Sequence, residues 1–138
     1  MPASESVFID TNVVLYALGT EEPKRTIAQG ALNSFSVISV QVLSEASHVL
    51  HRKQGIPKTD VVLQLGTIEA LVDRIVPLNK ATVQLSWRLW QRYHFSWFDS
   101  LIVAAALDSD CTTLYTEDLQ HGQIIGERLT IINPFSPS

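Results

Sequence analysis

At 138 residues with 46% hydrophobic side chains, the chain has the length of one domain and enough apolar content to bury a core. A single cysteine excludes an internal disulfide and a thiolate metal site, and no apolar run reaches the ~18 residues of a membrane span. The net charge of −4 gives no global basic footprint, so any nucleic-acid contact has to be local.

In chain order, residues 6–10 predict a first strand, Val7-Phe8-Ile9 running into the carboxylate of Asp10. Thr11 and Asn12 are both capable N-caps for a short helix over 11–18, closed by the turn cluster Gly19 to Pro23. A helix over 24–32 and a strand over 36–39 follow. Ser39 can cap a long helix from Val40 to about Lys53, ended by Gly55-Ile56-Pro57.

Thr59 can open the next helix, in which Val61, Leu65, Ile68 and Val72 form an apolar stripe at helical spacing. Arg74 to Leu78 reads as a third strand, and Asn79 caps a helix reaching about Tyr93. An aromatic loop, Tyr93-His94-Phe95-Ser96-Trp97, leads to a helix from about Phe98 to Asp108. Thr112 to Tyr115 is a fourth strand, Asp118 to Gly126 a loop with room for one helical turn, and Leu129 to Asn133 a last strand before a Pro-containing tail. Strands alternating with helices predict βαβ units: a single α/β domain over 1–138, with a mainly parallel sheet of four to five strands.

Four carboxylates fall where such a sheet can bring them together. Asp10 ends the first strand, Asp99 begins an Ala-rich helix, Asp118 follows the fourth strand, and Glu45 lies early on the helix leaving the second. Ligands of open α/β sheets bind at the carboxyl edge of the strands. Gathered acids repel unless protons or a divalent cation neutralise them. Mg²⁺ or Mn²⁺ suits oxygen donors of this kind, and such an ion can acidify water and stabilise a phosphodiester leaving group.

The order Asp10-Thr11-Asn12, Glu45, Asp99-Ser100 and Thr116-x-Asp118, with Ile132-Asn133-Pro134-Phe135 at the close, resembles the PIN-domain ribonucleases, specifically VapC-type toxins of bacterial toxin–antitoxin pairs. The resemblance runs from Val7 to Phe135 and implies a three-layer α/β/α fold. It implies Asp10, Glu45, Asp99 and Asp118 as catalytic residues around Mg²⁺ or Mn²⁺, with Asn12, Thr116 and Ser100 in support. It further implies a cytoplasmic endoribonuclease acting on a structured RNA, homodimeric and silenced by an antitoxin. Glu117 competes with Asp118 for the ion, and Asp118 is preferred because successive side chains diverge.

Other features have simpler readings. Glu45-x-x-His48 echoes one half of a di-iron motif, which needs a second copy the chain lacks. His51, His94 and His121 show no ligand spacing. Trp87 and Trp90 share a stripe with Val83 that fits core or a subunit interface. Arg88 and Arg92 share a helical face; with Arg52, Lys53 and Trp97 they are the candidate RNA contacts, packing and solvation being the alternatives. A phosphatase of another α/β class and a non-catalytic binding module are the rival functions. The first would release inorganic phosphate from monoesters, and the second would bind no Mg²⁺ or Mn²⁺.

Overall fold

The computed structural model describes residues 6–136; the single-domain expectation over 1–138 therefore extends at both ends beyond the described residues. The first strand, β1 (Val7–Ile9), gives way directly to α1 (Thr11–Leu18), and α2 (Lys24–Ala31) then leads to β2 (Ser36–Ser39). Next come α3 (Val40–His48), a π-helical segment at Val49–Lys53, and α4 (Lys58–Leu71). The second half comprises β3 (Arg74–Val76), α5 (Lys80–Arg92), α6 (Trp97–Asp108), β4 (Thr113–Tyr115), β5 (Ile124–Ile125) and β6 (Leu129–Ile132).

The sheet order is β3-β2-β1-β4-β6-β5, parallel throughout except for β5 against β6. All four residues of β2 are buried, as are Phe8 and Ile9 of β1, which is the continuous apolar pattern of strands covered on both faces. Helix α1 packs against both α2 and α3, α3 packs against α4, and α5 pairs with α6. Right-handed crossovers place these two groups on opposite faces of the sheet. The chain leaves β1 toward β2 on one side and returns to β4 on the other, so a topological switch point falls between β1 and β4.

Local chemistry explains most boundaries. Ser39 accepts from the Val42 amide at 3.3 Å, and Asn79 accepts from the Thr82 amide at 3.0 Å, each satisfying an orphan donor of its helix. Replacing the buried Ser39 by Ala should cost about 1 kcal/mol, read as a lower denaturation midpoint with unchanged slope. Helix α6 is buried all round from Ser100 to Leu107, and its three alanines let the α5–α6 pair approach the sheet closely. The stripe Val61, Leu65, Ile68 and Val72 is core, as is Cys111.

The structure departs from the sequence reading at several boundaries. The cap of α1 is Asp10 itself, whose carboxylate accepts from the Thr11 amide at 2.6 Å, rather than Thr11 or Asn12. Helix α4 begins at Lys58 after Pro57, one residue before Thr59. The expected helix over 40–53 changes to π geometry at Val49. Where a loop with one helical turn was expected, Ile124-Ile125 form a sixth strand. Its turn to β6 closes through Gly126 at φ 59° and Glu127 at φ 63°, the left-handed pair of a tight hairpin. Trp97 is the first residue of α6 rather than a loop residue. Trp87 and Trp90 are not core, being 53% and 50% exposed.

Candidate metal centre

Parallel strands deliver their carboxyl ends to one edge, and β1 and β4 do so side by side. Ile9 pairs with Tyr115, and the Asp10 amide donates to the Tyr115 carbonyl at 3.0 Å. The next residues, Asp10 and Thr116, are therefore neighbours although 106 positions apart, and the Thr116 hydroxyl donates to Asp10 Oδ2 at 2.8 Å. Asp10 Oδ1 is held by the Thr11 amide. Both oxygens of the residue that caps α1 are thus fixed.

Asp118 reaches the same place from the loop after β4. Its amide donates to the Thr116 hydroxyl oxygen at 3.1 Å, and Asn12 Nδ2 donates to its Oδ2 at 2.8 Å. Asp99 enters from the first turn of α6, where Ser96 caps the helix by accepting from the Asp99 amide at 3.1 Å. Asp10, Asp99 and Asp118 each present a carboxylate oxygen, and the three oxygens lie within 4.8 Å of one another.

The electrostatics follow from that geometry. Burial, at 4% residual exposure, pushes the Asp10 carboxyl up to about 7, and the charges of Asp118 and Asp99 add to the effect. The Thr116 and Thr11 hydrogen bonds oppose it. Asp99 is also raised, first by burial and then by the charges of Asp118 and Glu45. The sequence argument rested on crowding of like charges; loss of water is the larger cause. A buried carboxylate with no cationic side chain among its hydrogen-bond partners requires a proton or a cation. Three hard oxygen donors at this spacing fit a divalent cation.

Glu45 is close by without joining the trio. Its Oε2 accepts from the Thr11 hydroxyl at 3.3 Å, its Oε1 from Gln41 Nε2 at 2.5 Å, and its charge is felt at Asp99. Asn12 and Thr116 hydrogen-bond to the acids, whereas the Ser100 hydroxyl donates to the Ser96 carbonyl within its own helix at 3.0 Å. Glu117 is withdrawn from the centre, because Lys24 Nζ donates to it at 2.8 Å and the Tyr16 hydroxyl at 2.6 Å. Burial alone would raise its carboxyl, but these two bonds hold it below the usual range.

The proposed RNA contacts lie outside the acid cluster. Arg52 and Lys53 are exposed at the end of the π-helical segment, one residue before Gln54, which lines a cavity of about 430 Å³ with Asn12 and Tyr16. Arg88 and Arg92 line a separate groove with Arg128. Trp97 is half-buried, its ring edge-on to Trp90 at 5.2 Å between centroids. Among the histidines, His51 Nδ1 bonds the Ile56 carbonyl and His121 Nδ1 accepts from the Asn133 amide. Gln41 is the site residue that sequence reasoning missed: a glutamine on a helix carries no signal until its neighbours in space are known.

No curated protein sequence matches the chain significantly. Several solved structures share its fold, among them these three. VapC20 of Mycobacterium tuberculosis, described as a sarcin-ricin loop cleaving toxin, superposes with TM-score 0.67 at 18% identity over 82% of this chain and 90% of its own. A toxin–antitoxin complex from Klebsiella pneumoniae gives TM-score 0.71 at 18% identity over 94% and 98%. VapBC2 from Rickettsia felis, bound to a DNA fragment from its promoter, gives 0.63 at 20% identity over 91% and 96%. At these identities the likeness establishes the fold. The family model for the PIN domain matches residues 7–125, from the start of β1 to the end of β5 and across every acid of the cluster. The chain belongs to the PIN-domain family.

Proposed function

We propose that this protein is a Mg²⁺- or Mn²⁺-dependent endoribonuclease, acting in the cytoplasm as the toxin of a toxin–antitoxin pair. The observation that carries the reading is the meeting of Asp10, Asp99 and Asp118 from three separate elements at one sheet edge. Membership of the PIN family and the toxins among the compared structures support it.

Asp10, Asp99 and Asp118 would hold the ion directly, and Glu45 would add to its binding through a water. Bound there, a divalent cation supplies charge for the scissile phosphate and acidity to water. Thr116 and the Thr11 amide fix the Asp10 carboxylate, so little reorganisation is left for the reaction. Asn12 aims Asp118 in the same way. Glu45, set back from the trio and held by Gln41 and Thr11, would accept the proton lost by the attacking water. Since water attacks, the products carry a 5′ phosphate and a 3′ hydroxyl.

Basic side chains at Arg52, Lys53, Arg88 and Arg92 would meet the RNA backbone locally, in keeping with the acidic net charge, and Trp97 would stack on an unpaired base. A structured RNA with a splayed loop, of the tRNA or rRNA kind, is the substrate this surface suits. The exposed apolar side chains Trp87, Trp90 and Phe98 suit a second copy of the chain, and the cavity beside Asn12 suits the tail of an antitoxin.

Sequencing RNA ends after brief expression tests this reading. The wild type should produce new 5′-phosphate ends at a discrete site, and Asp10→Asn should produce none. Cyclic phosphate ends, or release of inorganic phosphate from monoesters with RNA intact, would overturn it.

A further inference from the structure

Gln41 is 92% buried beside a charged site, since only 8% of it is exposed, and this is an expensive place for an amide. Its nitrogen is engaged twice, donating to Glu45 Oε1 on its own helix at 2.5 Å and to the Phe98 carbonyl on α6 at 3.4 Å. Its oxygen has no partner at all among the described residues. The amide orientation is dictated by chemistry, because flipping the amide would press its oxygen against the Glu45 carboxylate and the Phe98 carbonyl. The chain therefore keeps a buried orphan acceptor at this position, and an apolar side chain of the same shape would remove that penalty. What the glutamine provides in exchange is a bridge between the helix bearing Glu45 and the first turn of the helix bearing Asp99.

We propose that Gln41 is a positioning residue of the acidic centre, acting through Glu45: its amide N–H groups lock the Glu45 carboxylate in place and tie it to the α6 turn that presents Asp99. The arrangement is completed by Thr11, whose hydroxyl holds the other Glu45 oxygen. This inference rests on the metal-centre reading, and deepens it by naming what aligns the set-back carboxylate. Residues that orient a metal-binding group in this way typically change ion affinity ~10–100-fold when removed.

Mn²⁺ alone, titrated into the full-length protein and followed by the electron paramagnetic resonance of the free ion, tests the proposal on the wild type, Gln41→Met, Glu45→Gln and the double variant. Gln41→Met should bind Mn²⁺ ~10-fold or more weakly, while its metal-free melting temperature changes little, the orphan oxygen being removed together with the donor of Glu45 Oε1 and the Phe98 carbonyl. In the Glu45→Gln background the Met substitution should cause no further loss, as expected of a residue that acts through Glu45. Gln41→Asn keeps the amide but is one methylene too short, and should weaken binding like Gln41→Met. Wild-type affinity in both Gln41 variants, or an equal loss with and without Glu45, would overturn the positioning role and leave the metal centre standing. A wild type that binds no Mn²⁺ would overturn the metal centre and the positioning role together.

Discussion

Replacing Asp10 by Asn should abolish RNA cleavage and at the same time raise the melting temperature of the metal-free protein above pH 7. The carboxyl is pushed up from its ordinary 3.8 to about 7 by burial. Between those values the folded chain holds a proton that the unfolded chain releases. More protons bound in the native state means that stability falls as pH rises through this window, and the loss is complete above the folded value. About three pK units correspond to about 4 kcal/mol, and Asp10 is buried deeply enough that solvent screening leaves most of this in place. Melting curves in chelator from pH 4 to pH 8 should therefore decline by on the order of 10 °C for the wild type and much less for Asp10→Asn. Asparagine keeps an oxygen for the Thr11 amide, so the cap of α1 survives, while its Nδ2 meets the Thr116 hydroxyl, which turns from donor to acceptor. Parallel pH profiles for the two proteins would show that the carboxylate is not the source of the strain.

Adding saturating Mn²⁺ should abolish that pH dependence. Ion and proton compete for the same oxygens, so below the Asp10 value each pH unit should tighten Mn²⁺ binding about tenfold for one displaced proton, levelling above about pH 7. Binding that favours only the folded state stabilises by mass action, about 2.7 kcal/mol at a hundredfold excess over the dissociation constant. The melting temperature at saturating Mn²⁺ should stay level from pH 5 to pH 8, where without it the temperature falls, because the ion-bound fold and the unfolded chain then carry the same number of protons at Asp10. The same increment at every pH would place the ion away from Asp10, Asp99 and Asp118.

The acids were legible because each sits at a boundary that the sequence marks. Apolar runs of strand length stop at Asp10 and shortly before Asp118, and an Ala-rich apolar run begins at Asp99, so the ends of elements carried the site with them. Ser39 and Asn79 were readable for the same reason: a side chain bonding an amide three residues on is a local event. What was illegible depends on distance through space. Ser100 adjoins Asp99 in sequence but turns back to its own helix, and Gln41 looks like any helical glutamine until Phe98 is set beside it. The Trp87 and Trp90 stripe shows periodicity, which names a face without saying what covers it. Strand β5 is two residues long, and its hairpin places Glu127 in a left-handed conformation that glycine or asparagine normally advertises.

The pairing of β1 with β4 has a kinetic consequence. Val7 and Thr113 lie side by side in the sheet but 106 positions apart along the chain, so closing that loop comes late and depends on nearly all of the polypeptide being available. A nascent chain still emerging from the ribosome holds Asp10 and Glu45 but has not yet made Asp118. The acid centre thus forms only once the chain has been made past Asp118, and products truncated before it are expected to be inert.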